Sequence, residues 1–310
     1  MRNELAPDNE GYDFIKAVMD GTMKLGEGIA CELDKYVRFK PGQLNIIVGH
    51  ANVGKTAWII FYYVSLAVHH DKKFLIYSSE NSIGSLKRKI MEFFIMKIIT
   101  EFQPSELEKA KSFVRRHFFF LRIDRSYTAN ELLEVAQDLY SNEVKYDAFM
   151  IDPYNSLRLP RSAINTHEYH YDVAHDMRLF SKKNMVSIYI CAHAVTEALR
   201  KVHRNEHEFA GHPMPPSSSD IEGGGKWVNR ADDFIVIHRY TQHPMRWMET
   251  HINVRKVKEQ ETGGKPTFID EPVVFLMQRG CMFTCNDINP IRRGLDMYYK
   301  RIDDAQRLPF

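Results

Sequence analysis

Short apolar runs rich in β-branched and aromatic residues recur along the chain, and segments with helical spacing separate them. Leu44–Val48, Lys73–Glu80, Phe118–Ile123, Asp147–Asp152 and Val186–Cys191 read as buried strands, the second and fourth ending in an acid. Between them, helical patterns run from the residues after Lys55 to about His70, over Ile83–Ile99 and Ser105–His117, and over Glu168–Lys183. Thr128-x-x-Glu131 opens another helix, to Tyr140, with a capping box. Strands alternating with helices predict right-handed βαβ units. The expected fold class is therefore α/β, with a mainly parallel twisted sheet flanked by helices.

After Val195 the pattern changes. Thr196–Lys226 is rich in Gly, Pro, Ser and basic residues and reads as a long mobile loop. Phe234–His238 and Met248–Val257 then look like strands, and Val273–Thr284 like a hairpin turning at Arg279-Gly280, which gives a C-terminal antiparallel region. Before the first strand, Asp13–Met23 has helical spacing broken by Gly21, Gly26 and Gly28. It reads as a linker, as an arm packing on a neighbouring subunit, or as a frayed terminus. The expected division is a linker or arm over 1–39, one α/β domain over 40–286, and a polar, partly disordered tail over 287–310.

Composition narrows the class. The chain has 310 residues, 44% of them hydrophobic and 26% charged, as in soluble globular proteins. No apolar run approaches the length of a membrane span, and Met1–Glu10 is too polar for a signal peptide, so a cytoplasmic protein without a membrane partner is expected. Cys31, Cys191, Cys281 and Cys285 form no C-x-x-C pair and read as free thiols. His167, His170, His175, His203, His207 and His212 lack an accompanying carboxylate or cysteine set at metal-ligand spacing. A formal charge of +2 leaves any basic surface a local matter.

The chemistry is concentrated at strand ends. Leu44–Val48 leads into Gly49-His50-Ala51-Asn52-Val53-Gly54-Lys55-Thr56, a G-x-x-x-x-G-K-T loop that opens an apolar helix. The glycines let backbone N–H groups turn inward around phosphates, and the helix N-terminus adds positive potential. Lys55 can reach the β- and γ-phosphates, and the Thr56 hydroxyl can ligate Mg²⁺. We read this stretch as a nucleotide-binding P-loop for ATP and Mg²⁺. Asp152, closing the run Phe149-Met150-Ile151, fits a metal-supporting acid; the plainer reading is an N-cap at Asp152-Pro153. Glu80, at the tip of the strand Lys73–Glu80, is a candidate general base or simply a solvated glutamate. His193 follows the strand Val186–Cys191 in the same way. Ligands bind at this edge of parallel sheets. The aromatic stretch Trp58–Tyr63 is expected to pack in the core.

Taken in order, Gly49–Thr56, Ser78-Ser79-Glu80, Phe149–Asp152, Ala192-His193, Ser219–Gly225, Arg230–Asp233 with a strand ending at Arg239, and Lys256–Gly263 resemble the RecA-like motor of DnaB-family replicative helicases, in its phage primase-helicase-like branch. The similarity runs from roughly Gly26 to Phe283. It implies a RecA-like P-loop ATPase in which Glu80 is the catalytic base and Asp152 supports Mg²⁺. It also implies that His193 senses the γ-phosphate and that Arg239 belongs to the nucleotide-contacting set. The family's arginine finger, which reaches into the adjacent subunit's site, corresponds here to Lys258. That lysine brings charge without a bidentate fork. The resemblance further implies a hexameric ring around single-stranded DNA, a bacterial or phage-infected host cell, and a separate primase. The DNA-contacting candidates are Arg158 and Arg161 after Asp152, then Arg200, Lys201, Arg204 and Lys226 in the long loop. A RecA-type recombinase and a nucleotide-dependent assembly module with little turnover remain the competing readings.

Overall fold

The computed structural model describes residues 9, 11–122, 124–160, 166–221 and 225–307. Helix α1 (Tyr12–Met19) precedes β1 (Leu44–Gly49), α2 (Lys55–His70), β2 (Phe74–Ser78), α3 (Ile83–Ile95), α4 (Pro104–His117), β3 (Phe118–Phe120), α5 (Ala129–Asn142), β4 (Ala148–Asp152), α6 (Thr166–Asn184) and β5 (Ser187–His193). Then come α7 (Gly225–Arg230), β6 (Asp233–His238), β7 (Glu249–Val257), α8 (Gln260–Gly263), β8 (Val273–Gln278), β9 (Met282–Thr284) and α9 (Pro290–Arg307).

Among the described residues the strands form one nine-stranded sheet, ordered β3-β2-β4-β5-β1-β6-β7-β8-β9. Pairings from β3 through β6 are parallel, and those from β6 through β9 are antiparallel. The expected α/β architecture, with its antiparallel C-terminal region, is the observed one.

Alternation along each strand explains the two core layers. On β1, Ile46 and Val48 join a core with Leu132 and Leu133 of α5 and Val173 and Met177 of α6. Ile47 points the other way, into a core built on α2 with Phe93, Phe113 and Tyr298. Helix α2 is thus enclosed by the sheet on one side and by α3 and α9 on others. Trp58, Phe61 and Tyr63 are buried, and Phe61 meets Phe93, Phe275 and Phe283 edge to face, as the core reading of that stretch expects. The Thr128–Glu131 capping box forms as read, each partner bonding the other's backbone N–H.

Three expectations change. The polar segment after Asn286 is not a disordered tail: α9 packs along α2 through Ile291, Leu295, Tyr298 and Ile302. The i, i+4, i+7, i+11 spacing of those residues lays one apolar stripe on an otherwise charged helix. Gly294 permits the approach, since a Cβ there would come within 2.8 Å of the Val68 side chain and of the His69 ring. Arg301 then donates to His69 O at 2.5 Å and also to Val68 O, capping the C-terminus of α2.

The stretch 196–221 is likewise ordered rather than mobile. His203 and His212 are joined by a backbone hydrogen bond, Met214 N donates to Lys201 O, and Phe209 stacks on Tyr240. Helix α3 ends at Ile95, short of the expected Ile99, because Met96 takes a left-handed conformation that stops it. At the amino end, α1 leaves Tyr12, Phe14, Ile15, Val18 and Met19 exposed, whereas Ile29, Leu33, Val37 and Phe39 lie in the core.

If α9 is integral, Tyr298→Ala should destabilise the protein by about 3 kcal/mol, the usual cost of truncating a buried aromatic residue. Urea unfolding of wild type and variant measures this. A difference within the error of the two curves would mean that α9 adds nothing to the core.

Candidate active site

The parallel register sets the tips of the central strands side by side. Gly49 is opposite His193, and Ser78 is opposite Asp152. The P-loop, Glu80, Asp152 and His193 therefore meet at the carboxyl edge of the sheet, around a cavity of about 590 Å³. Ala51, Asn52, Gly54, Lys55 and Thr56 line it. Gly54 has φ +87°, a left-handed conformation that costs glycine nothing and lets the loop wrap before α2 begins.

Lys55, 5% exposed, donates to Gly49 O at 3.0 Å, to His50 O at 2.8 Å and to His193 Nδ1 at 3.1 Å. Burial pulls its pKa down, while Cys191, Asp152 and Glu80 oppose that shift. All three of its acceptors are neutral. A phosphate brought into the cradle would offer the ammonium a full opposite charge in a low-dielectric site, which is a stronger partner.

The Thr56 hydroxyl donates to Asp152 Oδ2 at 2.7 Å. Asp152 is 2% exposed, and burial raises its pKa against the lowering effects of Thr56 and Lys55. An N-cap role for Asp152 does not describe this geometry, because its carboxylate is spent on the first turn of α2. The pair fits a divalent cation: a hydroxyl oxygen for direct ligation, with a buried carboxylate behind it that needs a positive charge nearby.

His193 links the two halves of the site. Its Nδ1 accepts from Lys55, so in the neutral ring Nε2 carries the proton and donates to Glu80 Oε1 at 3.3 Å. Its backbone N–H donates to Asn155 Oδ1 at 3.0 Å. Glu80 itself is 55% exposed, at the mouth of the cavity, where a water molecule can reach it. Lys55, His193 and Glu80 thus form one hydrogen-bonded chain, with the Thr56–Asp152 pair beside it in the same cavity.

The remaining candidates fall elsewhere. The His50 side chain turns away from the cavity and hydrogen-bonds Met214 O at 3.0 Å. Val53 is buried beside it on that outer side. Arg239 lies behind Gly54, its guanidinium donating to Trp247 O at 2.7 Å. Lys258, 45% exposed, sits 3.5 Å from the buried Asp232 of its own chain. Lys256 is spent on Val228 O at 2.5 Å and Ala231 O at 2.7 Å, carbonyls at the end of α7. The two lysines are therefore answered within the chain, by Asp232 and by a helix C-terminus. Arg255 is skipped by the β6–β7 pairing, a bulge, and donates to Asn253 and Ile269 O.

Of the basic loop residues, Arg200 and Arg204 are exposed, Lys201 is ion-paired with Asp220, and Arg158 lies 3.2 Å from Glu131. Arg161 lies outside the described residues, as does the side chain of Lys226, whose backbone is in α7 rather than in a loop. Sequence reasoning missed Asn155. Its only signal was a polar residue three positions past a strand-end acid. Asn81, Ser85 and Lys89, which line the outer wall of the cavity, were missed too.

No protein-family model matches the chain. Among solved structures, an ATPase domain of the DnaB-like replicative helicase kind superposes with a TM-score of 0.71 at 11% identity, covering 91% of this chain and 99% of that one. The fold is that of a DnaB-like helicase ATPase domain. A DnaB-like replicative helicase, solved for its interactions with primase, agrees, with a TM-score of 0.68 at 12% identity over 89% of this chain and 66% of that one. In sequence, a Twinkle homolog protein, chloroplastic/mitochondrial, of Arabidopsis thaliana is 25% identical over 270 residues, which is 81% of this chain. That alignment takes in 36% of the relative, so the chain spans about a third of its length. On the DnaB-like fold, the cavity is framed by the strand tips that the resemblance singled out.

With Glu80 as base, Glu80→Gln should keep the affinity for MgATP and lower the hydrolysis rate by roughly 10²- to 10⁴-fold. Equilibrium binding and single-turnover hydrolysis, measured on the same preparation, separate the two effects. Hydrolysis at the wild-type rate would remove Glu80 from this role.

Proposed function

We propose that this chain is the motor of an ATP-driven, ring-forming DNA helicase that translocates on single-stranded DNA during replication. The observation that carries this reading is the convergence of Lys55, Thr56, Asp152, His193 and Glu80 in one cavity on a DnaB-like helicase fold. No helix among the described residues is long and apolar enough to cross a membrane.

In this reading the P-loop amides and Lys55 hold the phosphates of ATP, while Thr56 and Asp152 hold Mg²⁺. The bound Mg²⁺ supplies neutralisation of charge that builds on the transferred phosphoryl group. Glu80 accepts the proton of the attacking water. His193, hydrogen-bonded to both Lys55 and Glu80, positions the base and reports the state of the γ-phosphate through its ring. Arg239 supports the loop from behind.

Lys258 acts in the adjacent subunit's site, where its exposed ammonium exchanges Asp232 for phosphate. Lysine brings charge to that site without a fork, which suits modest turnover. A hexamer arranged this way encircles single-stranded DNA with the segment 196–221 facing the channel. There Arg200 and Arg204 meet phosphates, while Lys201 is committed to Asp220. One structural neighbour is described with primase, and a separate primase is the partner we assign to this chain.

The test is displacement of one strand from a forked duplex in the presence of ATP and Mg²⁺. Wild type should unwind it, and Lys55→Ala should not. Arg200→Ala/Arg204→Ala should bind single-stranded DNA more weakly across sequences, with a salt dependence shallower by about 0.7 per lost phosphate contact. ATP hydrolysis without strand displacement under any loading condition would overturn the helicase assignment. Unchanged DNA affinity and salt slope in the double variant would place this segment outside the channel.

A further inference from the structure

The P-loop is joined to the segment that carries Arg200 and Arg204 by a continuous run of hydrogen bonds. Lys55 Nζ donates to His50 O at 2.8 Å. The ring of that same histidine bonds Met214 O through Nε2 at 3.0 Å. Met214 N in turn donates to Lys201 O at 2.8 Å. Three hydrogen bonds therefore lead from the lysine of the phosphate cradle to the neighbour of Arg200.

Each joint in this run is fixed. A carbonyl oxygen only accepts, so Nε2 of His50 carries the proton and is the donor. His50 is 4% exposed, and its ring meets His238 edge to face with centroids 5.6 Å apart. Residues 201–203 and 212–214 lie antiparallel: Val202 is bridged to Pro213, and His203 N donates to His212 O at 3.0 Å. His203 Nε2 lies 2.9 Å from the Tyr240 hydroxyl, and Phe209 stacks on the Tyr240 ring. A displacement of Met214 is thus a displacement of the whole pair, and of the Arg200 and Arg204 that flank residues 201–203.

We propose that His50 is a positioning residue that couples phosphate binding at Lys55 to the placement of the segment 201–214. The three N–H donors of Lys55 are committed to Gly49 O, His50 O and His193 Nδ1, so a phosphate entering the cradle takes the place of one acceptor. Gly49 ends β1 and is held by its pairing with β5, and His193 is also hydrogen-bonded to Glu80. His50 is the first residue past the strand, so its carbonyl is the acceptor most free to turn. Turning that peptide moves the His50 Cα and carries the ring against Met214 O. A cavity of about 170 Å³ beside the ring, lined by Val53, Leu199 and Pro213 among others, gives it room to follow.

The converse follows from linkage: a ligand that shifts the segment changes phosphate affinity by the same factor that the nucleotide changes its own. Which ligands are coupled, ATP and single-stranded DNA, rests on the motor reading proposed above.

The test has two parts. On the wild-type protein, without DNA, hydrogen exchange is followed before and after adding adenylyl-imidodiphosphate with Mg²⁺. Exchange of peptides spanning 201–214 should change when the analogue binds. In the second part, affinity for fluorescein-labelled oligothymidylate is measured with and without the analogue, and the ratio is taken. A ratio cancels any effect of a variant on the basal affinities.

In wild type the ratio should depart from one by about tenfold, within the usual range for coupled sites. His50→Leu, which keeps bulk but has no donor, should bring it to within about twofold of one. His50→Gln, whose side-chain amide offers an N–H in place of Nε2–H, should restore most of the effect. An analogue that binds wild type yet leaves exchange over 201–214 unchanged would overturn the coupling while the motor reading stands. So would a His50→Leu ratio equal to the wild-type one. Failure of the wild-type protein to bind oligothymidylate at all would instead overturn the motor reading, and the coupling with it. The wild-type exchange decides the matter even if the variants fold poorly.

Discussion

The Thr56–Asp152 hydrogen bond is the point on which the site depends. At 2.7 Å it ties the first turn of α2 to the tip of β4, across the intervening strand β5. A carboxylate that is 2% exposed needs such a partner, because burying a charge without one is strongly unfavourable. The two sheet faces make the arrangement rigid. Ile46 and Val48 anchor β1 in one core, Ile47 anchors it in the other, and α2 has little freedom to shift between the sheet, α3 and α9. The fixed register then sets His193 beside Gly49, within reach of both Lys55 and Glu80.

The same construction ties the cavity to the rest of the molecule. The P-loop faces the cavity with Lys55 and Thr56, but His50 of the same loop reaches outward to Met214 O. The segment 201–214 rests on the start of the β6–β7 connection through Phe209 on Tyr240 and the hydrogen bond between His203 and the Tyr240 hydroxyl. On the far side, Asp232 accepts from Leu44 N at 3.0 Å, at the start of β1, and stands 3.0 Å from Arg178 and 3.5 Å from Lys258. The lysine assigned to a neighbouring site is thus attached, through one carboxylate, to the base of the strand that carries the P-loop.

What the sequence made legible was local. Apolar runs with terminal acids marked β2 and β4, the G-x-x-x-x-G-K-T spacing marked the loop, and Thr128 and Glu131 marked the start of α5. These features depend on residues within a few positions of one another. What stayed hidden depended on distant partners. Helix α9 carries its apolar stripe among so many charges that only α2 reveals its use. The 196–221 segment has loop composition, and Tyr240, Asp220 and His50 give it order. The partners of Lys258 and of its neighbour Lys256 were hidden because neither Asp232 nor the α7 carbonyls are near them in sequence. Met96 ended α3 early through a left-handed residue that no glycine announced.

The central claim is that this cavity hydrolyses ATP in response to nucleic acid. The most direct measurement is the steady-state rate of ATP hydrolysis with Mg²⁺, with and without single-stranded DNA, on the assembled protein. The account predicts turnover that rises when single-stranded DNA is added, that requires Mg²⁺, and that is absent in Thr56→Val, which cannot hold the cation or bond Asp152. Hydrolysis that is indifferent to DNA, or that persists in Thr56→Val, would contradict it.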